Sequence, residues 1–253
     1  MPTAATTSHT RVHCTDMKNA RHTERTSTAE MFRTAVFVIL SGGFQDAYTF
    51  IARGKVFANA QTGNIVLMSA SLFRGEWLTA VKYLVPLGAF FFGILTAEAV
   101  HFKYKKYEKL HWRQIILIAE IVLLLAVGFI PNTADAAANA LVSFVCALQV
   151  QSFHKINGHI YASTMCIGNL RSGTESLFAY FHTREKAALK KAFTYFGVIF
   201  VFAVGAGAGA LVTSLFGNGS VWVCCALLTA GFFVMFTGEK RTSKNTSQKQ
   251  PQR

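Results

Sequence analysis

The sequence predicts an all-α, polytopic membrane protein built as two internal repeats, and three observations carry that prediction. Of 253 residues, 52% are hydrophobic and 15% charged, with 23 phenylalanines, a balance foreign to an ordinary soluble domain. The apolar residues gather into runs long enough to cross a bilayer, which takes about 20 residues per helix. A polar signature inside those runs then returns. Gln149 stands 104 residues after Gln45, and Gly168-Asn169 follows Gly63-Asn64 at an offset of 105. Ser71-Leu72-Phe73 and Ser176-Leu177-Phe178 trail the two Gly-Asn pairs at the same distance.

Taken in order, residues 1–30 are polar and Thr-rich, and read as a disordered cytoplasmic tail. They hold no apolar run after a basic start, so a cleavable secretory signal is not expected. A first membrane repeat is expected over 31–131 and a second over 136–237, followed by a basic cytoplasmic tail at 238–253. Six segments are apolar enough to span, near 34–52, 79–100, 114–131, 136–154, 190–215 and 219–237. Two more segments contain the Gly-Asn pairs. The one over 58–73 would make a helix of about 24 Å, short of a hydrocarbon core of about 30 Å. The one over 163–181 carries Arg171, Ser172, Thr174 and Glu175 in its middle.

Charge placement bears on whether those two segments cross. The net charge is +13, yet 19 of the 25 Lys and Arg residues lie in the N-terminal stretch up to Arg33, the C-terminal tail and the linkers at 101–113 and 182–191. That distribution marks topology and argues against a nucleic-acid surface. With eight crossings the 101–113 linker falls outside, against the positive-inside rule. With six crossings and two re-entrant Gly-Asn helices, all four basic clusters are cytoplasmic, and Arg53, Lys55, Arg74 and Lys82 remain outside. The bias favours the second arrangement. It gives each repeat three crossings, so that the halves insert in opposite orientation, a recurrent transporter architecture.

Three stretches carry a family resemblance: Gly43-Phe44-Gln45-Asp46-Ala47-Tyr48, Val56-Phe57-Ala58-Asn59-Ala60-Gln61-Thr62-Gly63-Asn64, and Ala162-Ser163-Thr164-Met165-Cys166-Ile167-Gly168-Asn169-Leu170-Arg171-Ser172. They resemble the YoaK family of bacterial integral membrane proteins, over about 31–237. Ile167 stands where that pattern usually has Thr before Gly. The resemblance implies a compact multi-span fold in the bacterial inner membrane. It brings no catalytic residue and no substrate.

The polar positions define the candidate substrate or ion pathway: Gln45, Asp46, Thr62, Gly63, Asn64, Gln149, Gly168, Asn169 and Arg171. A charge at membrane depth is costly, so Asp46 calls for a partner, water or a coupling role. The alternative is a structural carboxylate satisfied by Gln45 and Asn64. Thr62 near an N-cap would start a half-helix whose free N–H groups suit an anion or a polar solute oxygen, whereas simple packing asks only for close approach at Gly63 and an interhelical bond from Asn64. Arg171 and Glu175 stand at i, i+4 and suit mutual neutralisation better than substrate reading. Glu120 repeats the Asp46 argument more weakly, and Glu98 reads as interfacial. The small-residue run at 205–210 suits tight helix contact, within one chain or in a homo-oligomer.

The five cysteines have no metal-binding spacing, and no catalytic motif occurs. Neither a cofactor, a metal nor an enzymatic activity is expected. The expected partners are the lipid bilayer and a small solute or ion. A small-solute transporter or channel-like permease leads, with a non-transporting assembly or scaffold protein as the second class.

Overall fold

The computed structural model describes residues 33–104, 112–153, 155–156, 159–160 and 166–247. Eight helices account for nearly all of them: α1 (Arg33–Ala52), α2 (Gln61–Phe73), α3 (Trp77–Tyr104), α4 (Trp112–Val127), α5 (Asp135–Ser152), α6 (Cys166–Thr183), α7 (Lys186–Phe216) and α8 (Trp222–Ser247). Lys155–Ile156 pairs antiparallel with His159–Ile160 in a two-residue ladder. The tail at 1–30 lies outside the described residues.

The helix ends follow from local chemistry. Beyond α1, Gly54 at φ 81° and Lys55 at φ 65° turn the chain away from its axis. At the end of α2, Gly75 takes φ 77°, its N–H donates to the Leu72 carbonyl, and the Glu76 N–H reaches Ser71. This paired capping reverses the chain into α3 within three residues. Gly217 adopts φ 58° and ψ −134°, a conformation that a side chain strains, and opens the 3-10 turn Gly217–Val221. Pro86 is buried inside α3, where neighbouring helices can answer the hydrogen bond it removes.

Four helical stretches are long and apolar enough to cross a membrane: Arg33–Ala52, Trp77–Tyr104, Asn132–Ser152 and Lys186–Thr237. The last is 52 residues long and is broken at Gly217 into α7 and the start of α8. Helix α4 is 16 residues long, and backbone hydrogen bonds from Gly128, Phe129 and Ile130 continue its last turn toward the roughly 20 residues of a crossing. The expected segments at 34–52, 79–100, 136–154 and 190–215 therefore correspond to α1, α3, α5 and α7. That at 114–131 shortens to α4. Helix α8 runs ten residues past the expected end at Thr237. The expected linker at 182–191 is instead a two-residue break between α6 and α7, so Lys186, Lys190 and Lys191 belong to α7.

The main core lies among α1, α4, α5 and α8, where Val38, Phe44, Leu117, Leu124, Val142, Val145 and Leu228 are buried together. Contacts at the helix ends fix relative directions. The C-terminal ends of α1 and α4 and the N-terminal end of α5 meet at Arg53, which donates to the Val127 and Ile130 carbonyls and to Asp135. Asn132 and Asn218 are hydrogen-bonded at this same end. At the opposite end, Arg113 at the start of α4 donates to the Ser152 carbonyl at the end of α5.

Two seams attach α3 and α7 to the core. A Cβ on Gly93 would press into the Phe144 backbone and the Ala147 side chain, so α3 sits close on α5. Gly43, Gly205 and Gly209 bring α1 and α7 together in the same way, with Gly205 against Leu40 and Gly209 against Phe44. Outward faces of α3 and α7 are apolar and exposed, including Phe91, Phe92, Leu95, Phe200 and Leu211.

Candidate functional site

The core helices bury a polar cluster. Helix α1 supplies Ser41, Gln45, Asp46 and Thr49, α4 supplies Glu120, and α5 supplies Asn139, Ser143, Cys146 and Gln149, all at most 9% exposed. Gln45 donates from Nε2 to Ser41 Oγ at 2.8 Å and accepts from Cys146 Sγ at 3.1 Å, joining α1 to α5.

Asp46 is engaged with the chain between α1 and α2. Its Oδ1 accepts the Asn59 N–H at 2.7 Å, with the Ala58 and Ala60 amides turned to the same carboxylate. Asn59 in turn donates from Nδ2 to the Gly42 carbonyl at 3.1 Å. Three successive amides ahead of a helix make an anion-binding concavity, and here the protein's own carboxylate occupies it.

Asn64 closes that segment from the other side. Its Oδ1 accepts the Phe57 N–H at 3.0 Å, and its Nδ2 donates to the Phe57 carbonyl at 2.7 Å and to Gln61 Oε1 at 2.9 Å. Gln61 donates to the Ala58 carbonyl at 2.7 Å. Thr62 does not cap α2: the N-cap position is Ala60, no side chain caps it, and Thr62 is exposed. Thr62 is the second residue of α2, two positions past the N-cap from which a side-chain oxygen answers the free N–H groups of the first turn.

The other predicted positions separate into two groups. Gln149 is fully buried in the last turn of α5 and Asn169 is buried on α6. Gly63 abuts the Phe57 ring, while Gly168 faces open space among the described residues, so neither glycine marks a contact between the two Gly-Asn helices. Arg171 lies on an exposed face and pairs with Glu175 at 2.9 Å. Of the nine, Asp46 and Asn64 are brought to the same stretch, Asp46 at the Asn59 amide and Asn64 at the Phe57 amide.

Sequence reasoning passed over Arg53 and Asn139 as site residues and ranked Glu120 below Asp46. Arg53 is completely buried, yet each of its three nitrogens donates: to Tyr48 Oη at 2.8 Å, to Asp135 Oδ1 at 3.1 Å, and to two carbonyls at the end of α4. Asn139 binds its carbonyl oxygen. Glu120, fully buried at the midpoint of α4, faces Gln149, and neither makes a hydrogen bond of ordinary geometry. Along α5, Asn139, Ser143, Cys146, Gln149 and Ser152 recur every three or four residues, the period of one helix face. That spacing was the available signal. No cluster of three or more metal-ligating side chains occurs among the described residues.

The family model described as a protein of unknown function, DUF1275, matches residues 34–234. The UPF0700 transmembrane protein YoaK of Bacillus subtilis (strain 168) is 25% identical over 230 residues, covering 85% of this chain and 98% of its own. No solved structure matches. An all-helical bundle with several apolar stretches of crossing length and a transmembrane relative of nearly equal extent identify a multi-pass membrane protein, and the chain belongs to the DUF1275 family.

Proposed function

We propose that the chain is a small-solute permease whose pathway passes through the buried polar cluster between two inverted halves. The observation that carries this reading is the set of buried polar atoms without a hydrogen-bond partner. Both oxygens of Glu120, both polar atoms of Gln149, Asn139 Oδ1, Ser143 Oγ and Ser152 Oγ all lie among α4, α5 and their neighbours. Buried polar atoms are normally paired, and unpaired ones inside a membrane bundle mark routes for polar species. Gln45 and Cys146 continue the cluster toward α1, and Asp46 holds the re-entrant segment beside it.

Six crossings with α2 and α6 re-entrant is the topology that best accounts for the end contacts. Eight crossings would set Arg53 and Ile130 on opposite faces of the membrane, and likewise Asn132 and Asn218. Each pair is hydrogen-bonded. Duplication is supported by the seams. Leu40 and Phe144 are related by the 104-residue offset, and each backs a glycine, Gly205 and Gly93, of the other half. The halves thus interlock, each contributing two core helices and one outer crossing.

The basic clusters put both termini in the cytoplasm, and the bacterial inner membrane is the membrane this family resemblance favours. Two of the four basic residues left outside are neutralised there, Arg53 by Asp135 and Arg74 by Glu76. No catalytic step and no cofactor enter the proposal.

Uptake of labelled amino acids, sugars and organic anions into proteoliposomes containing only the purified chain tests it. At least one class should be taken up, and Gln149→Leu should reduce that uptake tenfold or more while the protein stays folded. Absence of uptake across the panel, together with a stoichiometric partner at every purification, would establish the scaffold reading instead. One observation favours that second reading: Asp46, Asn64 and Arg53 are all committed to bonds within the chain.

A further inference from the structure

We propose that Glu120 is a proton-binding site, and that the polar face of α5 connects it to both ends of the bundle. The inference rests on the permease reading for its purpose but not for its test. The sequence directs attention to Asp46 as the coupling carboxyl, and the geometry points elsewhere. Asp46 has three backbone amides turned to it, an arrangement that ties the carboxyl to the segment ahead of α2. Glu120 has no such amides. Both its oxygens are buried without a formed bond, opposite an amide that is equally unpaired.

The surroundings define what Glu120 can bind. From α5 it meets Gln149 and Cys146, and from α8 the nearest titratable groups are Cys224 and Cys225, the latter donating to the Ile121 carbonyl beside Glu120. Asp46 is the acidic group on α1. Helix α3 meets α4 through Val100, Trp112 and Ile116, and its titratable groups there are His101, packed on Trp112 at the start of α4, and Glu98, bonded to Gln151 near the end of α5. The two nearest guanidinium groups serve opposite ends of α4, Arg113 at Ser152 and Arg53 at Val127. Each end lies seven residues from Glu120, about 10 Å along the helix axis.

A lone carboxyl facing an amide, with no ring of oxygens around it, lacks the coordination a metal cation needs. It fits a proton. A protonated carboxyl can donate to Gln149 Oε1 while accepting from Nε2, satisfying two atoms on each residue at once. The stripe from Asn139 to Ser152 spans thirteen residues of α5, about 20 Å, and reaches from the Arg53 end to the Arg113 end. In the transfer, the Glu120 carboxylate takes a proton from hydronium, forming an O–H bond and leaving water. Release breaks that bond and returns the proton to water on the other side.

Infrared difference spectroscopy on the purified, reconstituted chain tests the site through the protonated-carboxyl C=O band during a pH titration. Wild type should show a titrating band that Glu120→Gln removes and Asp46→Asn retains, with Gln149→Leu shifting its position. Survival of the full band in Glu120→Gln would overturn the proposal. Should that variant fail to fold, an unmoved band in Gln149→Leu would overturn it equally. Displacement of the titration by sodium at constant ionic strength would replace the proton with a metal cation. A titrating Glu120 band in a chain that takes up no solute would leave the site standing and remove the permease reading, so the two claims fail separately.

Discussion

At the scale of single residues, the structure divides the buried charges into those that hold the fold and one that does not. Arg53 joins three helix ends through Tyr48, Asp135, Val127 and Ile130, so truncating it leaves two carbonyls and a carboxylate without their donor. Breaking a buried pair from one side costs about 3–5 kcal/mol. Arg53→Ala should therefore unfold at clearly lower temperature in detergent, and Arg53→Lys should recover only part of the loss because an ammonium cannot reach all four acceptors. Asp46 is the second such residue. Asp46→Ala should cost about 1–3 kcal/mol by stranding the amides of the 58–60 segment, while Asp46→Asn keeps an acceptor and should lie between Ala and wild type. Equal stability of all three forms would show that the carboxylate does not anchor the segment. Composition made Asp46 conspicuous as a carboxylate in an apolar run. Its partners were not legible, because they are backbone amides that only the folded turn brings together.

At the scale of elements, glycines separate packing seams from open faces. Gly43 on α1 and Gly205 and Gly209 on α7 leave no room for a side chain, whereas Gly207 and Gly168 meet nothing among the described residues. Gly43→Leu and Gly205→Leu should abolish stable expression, and Gly207→Leu and Gly168→Leu should not, as measured by monodisperse recovery in detergent. Gly63 meets only the Phe57 ring, so neither Gly-Asn glycine abuts the other Gly-Asn helix among the described residues. Small residues announce close approach, but not toward which neighbour. The same limit applies to α5. The recurrence of Asn139, Ser143, Cys146, Gln149 and Ser152 is visible as a helix face, yet its meeting with Glu120 depends on how α4 and α5 are rotated about their axes. Helix existence and approximate extent were legible from hydropathy, since apolar runs of crossing length have few alternatives. The short helix α2 was legible too, because the apolar run at 58–73 is cut off by Arg74-Gly75.

At the scale of the whole molecule, the central claim is that α2 and α6 enter and leave by opposite faces of the membrane, which makes the halves inverted and places the polar cluster between them. Repetition of Gln45 and Gly63-Asn64 at Gln149 and Gly168-Asn169 hinted at duplication, and the basic clusters hinted at sidedness. The interlocking was not readable, because it consists of contacts between segments more than 100 residues apart, such as Leu40 with Gly205. The direct measurement is cysteine labelling by a membrane-impermeant thiol reagent, in a chain freed of its five native cysteines. The two positions are Glu76, in the turn after α2, and Glu185, in the break after α6, both exposed. Six crossings with two re-entrant helices predict that Glu76→Cys is labelled from outside intact cells and Glu185→Cys only after the membrane is opened. Labelling of both positions from the same side would restore eight crossings and contradict the account.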